Sequence, residues 1–217
     1  MDAAEWNARY AATDLVWGAA PNTVVVEHVT SLHRGRALDL ACGEGRNAIW
    51  LATRGWAVTA IDWSQVAIDK ARTVASRAPR AVRERLEWVR GDVTTRYAGK
   101  EGDEGYDLVL LVYLHLPPAE RRTVLHNAIA ALADGGVLLI LGHHSRNIAD
   151  GVGGPQDPTV LFTPDDVVRD ITDITDTLEI LEAGERIRPT ESGDAIDALI
   201  VAAKAPSSAS GSVTPTK

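Results

Sequence analysis

The stretch at residues 36–52, RALDLACGEGRNAIWLA, constrains this chain more than any other. An apolar, strand-like run carries one acid, Asp39, breaks at Gly43 and Gly45, and resumes with Ala48, Leu51 and Ala52 on one helical face. Glycines at the exit of a strand let the backbone approach a ligand closely. The helix behind them points free N–H groups and a partial positive charge back at that ligand. The unit is a strand, a binding loop and a helix, and it demands a sheet to bury the strand.

The rest of the chain repeats the alternation. Strands are expected at 37–41, 56–62, 85–92, 105–114 and in GGVLLILGHH ending at 144, with two more near 178–186 and 196–203. Helices are expected at 46–54, at 64–78 with Ser64 as N-cap, at 118–134 with Pro118 near its start, and at 163–171 with Thr163 as cap. Continuous apolar strands such as 105–114 suit a sheet covered on both faces. Strand and helix in alternation predict an α/β protein with a mostly parallel sheet. Ligands of such sheets bind beyond the carboxyl ends of the strands, at the switch in strand order. Residues 1–34 read as an amphipathic helical segment carrying Trp6, Tyr10 and Trp17 and punctuated by glycine and proline in VWGAAPN, residues 35–204 as the core, and 205–217 as a low-complexity, disordered tail. The run KEGDEG at 100–105 reads as a solvated loop.

Composition narrows the partners. A formal charge of −8 disfavours a phosphate backbone as ligand, so no nucleic acid is expected. The longest apolar runs are far short of the ~18 residues of a membrane helix, and no membrane association is expected. One cysteine, Cys42, excludes an internal disulfide. The first residues, MDAAEWNARYAATD, lack an apolar signal region, so a cytoplasmic protein is expected.

Gly43, Gly45 and Ala48 satisfy the dinucleotide spacing G-x-G-x-x-A, and Asp62 ends the next strand 19 residues after Gly43, where an acid can accept ribose hydroxyls. Two readings share this adenosine site: a nicotinamide-dependent oxidoreductase and an S-adenosylmethionine (SAM) methyltransferase. Asp39 separates them. An anion beside the loop would repel a pyrophosphate, whereas SAM carries an ammonium and a sulfonium. Asp92, in RGDV at the third strand's exit, is placed to accept from an adenine amine, with the Val93 N–H donating to the ring. The plainer roles are a cap or an Arg46 partner for Asp39, and a turn cap for Asp92.

With these motifs in place, LDLACGEGRNAIWLA resembles the first motif of class I SAM-dependent methyltransferases, and its CGEGRN core is similar to the small bacterial branch of tellurite-resistance and thiopurine methyltransferases. AIDWS and GDV resemble the second and third motifs, and GGPQDPTVLFTPDDV at 153–167 also looks like that branch. The resemblance spans about residues 5–203. It implies a single Rossmann-like domain whose seven-stranded, mostly parallel sheet ends in an antiparallel strand pair, with helices on both faces. It further implies that Asp39, Ala41, Gly43, Gly45 and Asn47 hold the methionine end of SAM. Asp62 would bind the ribose, Trp63 would lie beside the adenine, and Asp92 and Val93 would bind the adenine edge. The 111–115 segment, Leu111 included, would line the sulfonium and methyl group, and Trp17 would close an N-terminal lid. Asn47 stands where the family often has a third glycine.

The implied activity is methyl transfer to a small-molecule acceptor, either a soft sulfur, selenium or tellurium nucleophile or a phenol or amine. The latter would want a base, and His115, His143 and His144 are the candidates. Adjacent His143 and His144 on an extended segment face opposite ways, a poor chelate, so no metal is expected. Against the NAD(P)-dependent oxidoreductase alternative, Tyr97 and Lys100 are only three apart and form no Tyr-x-x-x-Lys pair. A non-catalytic SAM-binding module remains the third reading.

Overall fold

The computed structural model describes residues 3–95 and 105–206. The charge run at 100–104 and the tail from 207 onward, on which two of the expectations fall, lie outside the described residues. The elements run α1 (Ala3–Ala11), α2 (Thr23–Val29), β1 (Arg36–Leu40), α3 (Arg46–Thr53), β2 (Ala57–Asp62), α4 (Gln65–Ala75), α5 (Arg80–Arg83), β3 (Leu86–Arg90), β4 (Tyr106–Val112), α6 (Pro118–Ala131), β5 (Leu132–His143), α7 (Asn147–Asp150), α8 (Pro164–Ile174), β6 (Leu178–Thr190) and β7 (Gly193–Lys204).

All seven strands form one sheet in the order β3-β2-β1-β4-β5-β7-β6. It is parallel except that β7 runs against both β5 and β6. Side chains alternate across each strand, so the sheet builds two cores. On one face Leu38, Val109 and Leu138 pack with Val124 and Leu125 of α6 and Val167 and Ile171 of α8. On the other, Ala37, Leu108, Leu110, Leu139 and Leu141 pack with Val25 of α2 and Ala48 and Leu51 of α3. Strand order reverses between β1 and β4, which opens the crevice at their carboxyl ends.

Local chemistry explains most element ends. The Ser64 hydroxyl accepts the Ala67 N–H at the start of α4. Thr163 and Asp166 bond each other's backbone N–H groups in a capping box at α8. The N-terminal segment holds two helices, α1 and α2, on either side of an irregular link between Ala11 and Thr23 that contains VWGAAPN. Two expectations shift. The one-turn α5 had no periodic signal. Helix α6 stops at Ala131 because Leu132 already pairs with Tyr106 in the sheet.

Candidate active site

The loop after β1 is strained in the way a binding loop requires. Ala41, Gly43 and Gly45 all have positive φ, at 58°, 55° and 76°. Only glycine takes such angles without cost, so an alanine there marks a conformation imposed by its surroundings. A side chain at Gly45 would come 2.4 Å from the Trp88 ring, and one at Gly43 would come 2.8 Å from the Tyr10 hydroxyl.

Two buried acids stand at this loop. Asp62 accepts the Gly43 N–H on one oxygen and the Ser64 N–H on the other, each at 2.8 Å. It ties the loop of β1 to the end of β2. Burial raises its pKa, against the pull of those two N–H groups. Asp39 is fully enclosed. Its Oδ2 makes no hydrogen bond, a rare state for a buried carboxylate oxygen. Burial, then the charge of Asp62, push its pKa up to about 7, only partly offset by Arg46 and the Ala48 N–H. The same burial pushes the Cys42 thiol up, which fits a turn residue and not a nucleophile.

The polar side chains of GEGRN turn toward the N-terminal segment. Glu44 is buried and its Oε2 accepts the backbone N–H groups of Val16 at 2.8 Å and Trp17 at 3.2 Å. Lys70 pairs with Glu44 at 3.4 Å and donates to the carbonyls of Tyr10 and Thr13. Arg46 donates to the Trp17 carbonyl at 3.3 Å. Asn47 accepts the N–H of Asn22, the N-cap of α2, at 2.9 Å. The segment is therefore strapped across the glycine loop. Its aromatic cluster has Trp6, Tyr10 and Trp17 in mutual contact, with Arg9 over both indoles at 5.2 Å. The Trp17 indole donates to Tyr10 at 3.4 Å, yet the residue stays 42% exposed. Glu44→Ala is expected to free this strap. Amide exchange at Val16 and Trp17 should accelerate by roughly tenfold to a hundredfold, the worth of 1–3 kcal/mol of lost bonds; unchanged protection there would refute the role.

The remaining expected residues fall at the strand ends. Trp63 is half-buried after β2. Asp92 is exposed, and its Oδ1 accepts both the N–H and the hydroxyl of Thr94, so in this arrangement it caps a turn. Val93 packs at the edge of the core that contains Leu111. His115 accepts the backbone N–H of His143 on Nε2 at 2.9 Å, and burial, followed by His143, lowers its pKa to about 4. Its lone pair is committed, so His115 props His143. His144 turns the other way, with Nδ1 accepting the Arg146 N–H at 3.0 Å and Nε2 at 3.3 Å from Glu185.

Three residues here were not anticipated: Glu44, Arg188 and Asp197. Tyr113 has φ of 59° at the end of β4. Its hydroxyl donates to Asp197 at 2.7 Å, and Arg188 Nε donates to the same carboxylate at 2.7 Å. One signal was present in the sequence. Asp197 is the lone acid inside AIDALIVAA, just as Asp39 is inside ALDLA.

Residues 37–136 match a family model described as a methyltransferase domain. The chain is 28% identical to rat glycine N-methyltransferase, in a match that covers 63% of this chain and 50% of the rat protein. The human protein of that name matches at 27% over the same shares. The chain thus spans about half the length of these curated relatives. A structure described under the conversion of a disulfide bond into a thioacetal group during echinomycin biosynthesis superposes with a TM-score of 0.69 at 23% identity, over 96% of this chain and 94% of that one. The glycopeptide N-methyltransferase MtfA, complexed with SAM, gives 0.64 at 24% identity over 85% and 87%. These likenesses show that the chain shares its fold with both. Among the described residues, no helix is long and apolar enough to cross a membrane.

Proposed function

We propose that this chain is a SAM-dependent methyltransferase that acts on a small-molecule acceptor. The observation that carries the reading is the orphaned Oδ2 of Asp39, buried beside a positive-φ glycine loop. An isolated buried carboxylate is costly, and a cationic ligand group at that place relieves the cost. A pyrophosphate would add repulsion, which weighs against the nicotinamide reading. SAM, when bound, supplies an electrophilic methyl group on a sulfonium.

The chain's residues divide the work as follows. Asp39, Ala41, Gly43 and Gly45 would hold the methionine end and Asp62 the ribose. Asn47 would serve indirectly, through the cap of α2. Trp63, Asp92 and Val93 would border the adenine, Leu111 the methyl group, and Trp17 would cover the site. Asp92 would accept from adenine on the oxygen not used by Thr94. Positioning of acceptor and methyl group, with water excluded, can supply ~7–11 kcal/mol of the barrier.

The names of glycine N-methyltransferase and MtfA place their acceptor at nitrogen, which supports an amine over the soft acceptors of the tellurite and thiopurine branch. Calorimetric titration with SAM, S-adenosylhomocysteine and NADH tests the cofactor. Micromolar binding of the first two, with none of the third, is expected. NADH binding alone would make the chain an oxidoreductase, and SAM binding without turnover on any acceptor would leave a binding module.

A further inference from the structure

We propose that His143 is the general base of the transfer and that the acceptor bears a proton, as a phenol or an amine does; this rests on the SAM-dependent reading above. The antiparallel register of β5 and β7 sets His143 directly opposite Asp197. The imidazole Nδ1 lies 3.3 Å from Asp197 Oδ1. That approach is an ion-pair distance, not an aligned hydrogen bond, so Nδ1 counts as a buried atom without a bonded partner. Catalytic hydrogen bonds often tighten only when substrate is present. His28, by contrast, has both ring nitrogens in hydrogen bonds, as a structural histidine does, and His144 Nδ1 accepts the Arg146 N–H.

The assembly around His143 is built to aim it. Asp197 is fully buried. Burial alone would raise its pKa, but the bonds from Arg188 and Tyr113, with the approach of His143, outweigh it and hold it below the ordinary carboxylate value. Tyr113 reaches it from a left-handed backbone, the kind of strain that gathers at functional sites. His115 stacks on the imidazole at 5.3 Å, and Tyr113 flanks it at 5.1 Å. The backbone of Gly154 lies against the ring so closely that a Cβ there would come 2.9 Å from Nε2. With Nδ1 turned to Asp197, Nε2 carries the free lone pair. The cluster stands at the carboxyl end of β5, and only β4, which ends just before Tyr113, separates it from the carboxyl end of β1, where Asp39 and the glycine loop lie.

In the step, the acceptor's lone pair forms the bond to the methyl carbon while the carbon–sulfur bond breaks and its electron pair stays on sulfur. The acceptor's proton passes to His143 Nε2, and the imidazolium later releases it to water. The charged groups around the ring are the Asp197 carboxylate, 3.3 Å from Nδ1, and the Arg188 guanidinium bonded to that carboxylate. A thiolate, selenide or telluride has no proton to give, and this machinery would then be idle. Asp197 and Tyr113 are positioning residues.

The experiment compares wild type, His143→Gln and Asp197→Asn. It measures SAM affinity by calorimetry, methyl transfer to phenols, amines and an ionised thiol across pH, and the ring ¹⁵N shifts of His143. His143→Gln should bind SAM within about twofold of wild type, yet transfer to phenols and amines roughly 10²–10⁴-fold more slowly. It should also lose the fall in rate that wild type shows on acidification. The ¹⁵N spectrum should show the Nδ1-protonated tautomer, and Asp197→Asn should abolish that preference. Undiminished transfer in His143→Gln, turnover confined to the thiolate, or an Nε2-protonated ring would overturn the proposal while leaving SAM binding intact. Failure of wild type to bind SAM would overturn the cofactor reading itself. The tautomer measurement decides even if the acceptor panel misses the natural substrate.

Discussion

Asp39→Asn is expected to produce a protein that is more stable at pH 8 and poor at binding SAM. The sign follows from the raised pKa, about 7 in the fold against 3.8 for the free group. The folded state holds this proton more tightly than the unfolded chain does. Stability from this group is therefore full below pH 4 and declines as pH rises between 3.8 and about 7. At 1.36 kcal/mol per unit the whole span is about 4 kcal/mol. Asparagine cannot ionise, so the variant should gain about 2–4 kcal/mol at pH 8 and show a flatter pH dependence between these limits. Its SAM affinity should fall roughly tenfold to a hundredfold, as expected for a lost bond to a charged group. Denaturant unfolding at several pH values reads the first effect and calorimetry the second.

A linked effect belongs to the wild type. A cation prefers the ionised carboxylate, so SAM affinity should rise as pH approaches 7, with close to one proton released per SAM bound below it. Calorimetry in buffers of different ionisation enthalpy measures that proton. Equal stability of the two proteins at pH 8, together with equal SAM affinity, would refute the role of Asp39 as a strained, cation-seeking acid.

The second large effect concerns Asp62. Asp62→Ala should weaken SAM binding by roughly 1.5–3 kcal/mol, about tenfold to a hundredfold. Two causes combine. The direct bonds to ribose hydroxyls go, and the Gly43 and Ser64 N–H groups lose the acceptor that ties the two strand ends together. The variant also removes the charge that helps raise the Asp39 pKa. The pH at which SAM affinity levels off should therefore move down in Asp62→Ala. A shift in that direction separates Asp62 acting as a charge from Asp62 acting only as a loop tie. Unchanged SAM affinity would refute the ribose assignment.

Much of the fold was legible because its signals are local. Buried parallel strands read as apolar runs, and β1, β2, β3 and β4 fall within a few residues of their expected places. Caps are equally local: Ser64 and Thr163 open α4 and α8 as their side chains dictate. The glycine loop was legible because strand, two glycines and helix stand within 17 residues. Asp39 and Asp62 were legible as acids in apolar strands, an expense that calls for a reason.

The side-chain partners were not legible. Asn47, placed by its motif at the cofactor, reaches the cap of α2, and Glu44 holds the backbone of Val16 and Trp17. His143 and Asp197 are 54 positions apart and meet only because β5 and β7 pair in one particular register, which brings in Arg188 from β6 as well. His115 looked as good a base as His143 until its Nε2 was seen to accept a backbone N–H. The sequence alone determined the alternation of strand and helix, the glycine loop and the acids that flank it, because periodicity, caps and burial are properties of short segments. The tertiary structure decided which acid keeps an unpaired oxygen, which histidine keeps a lone pair and what the loop's polar residues hold. Those outcomes depend on long-range pairing, where one shift in register would give every side chain a different neighbour.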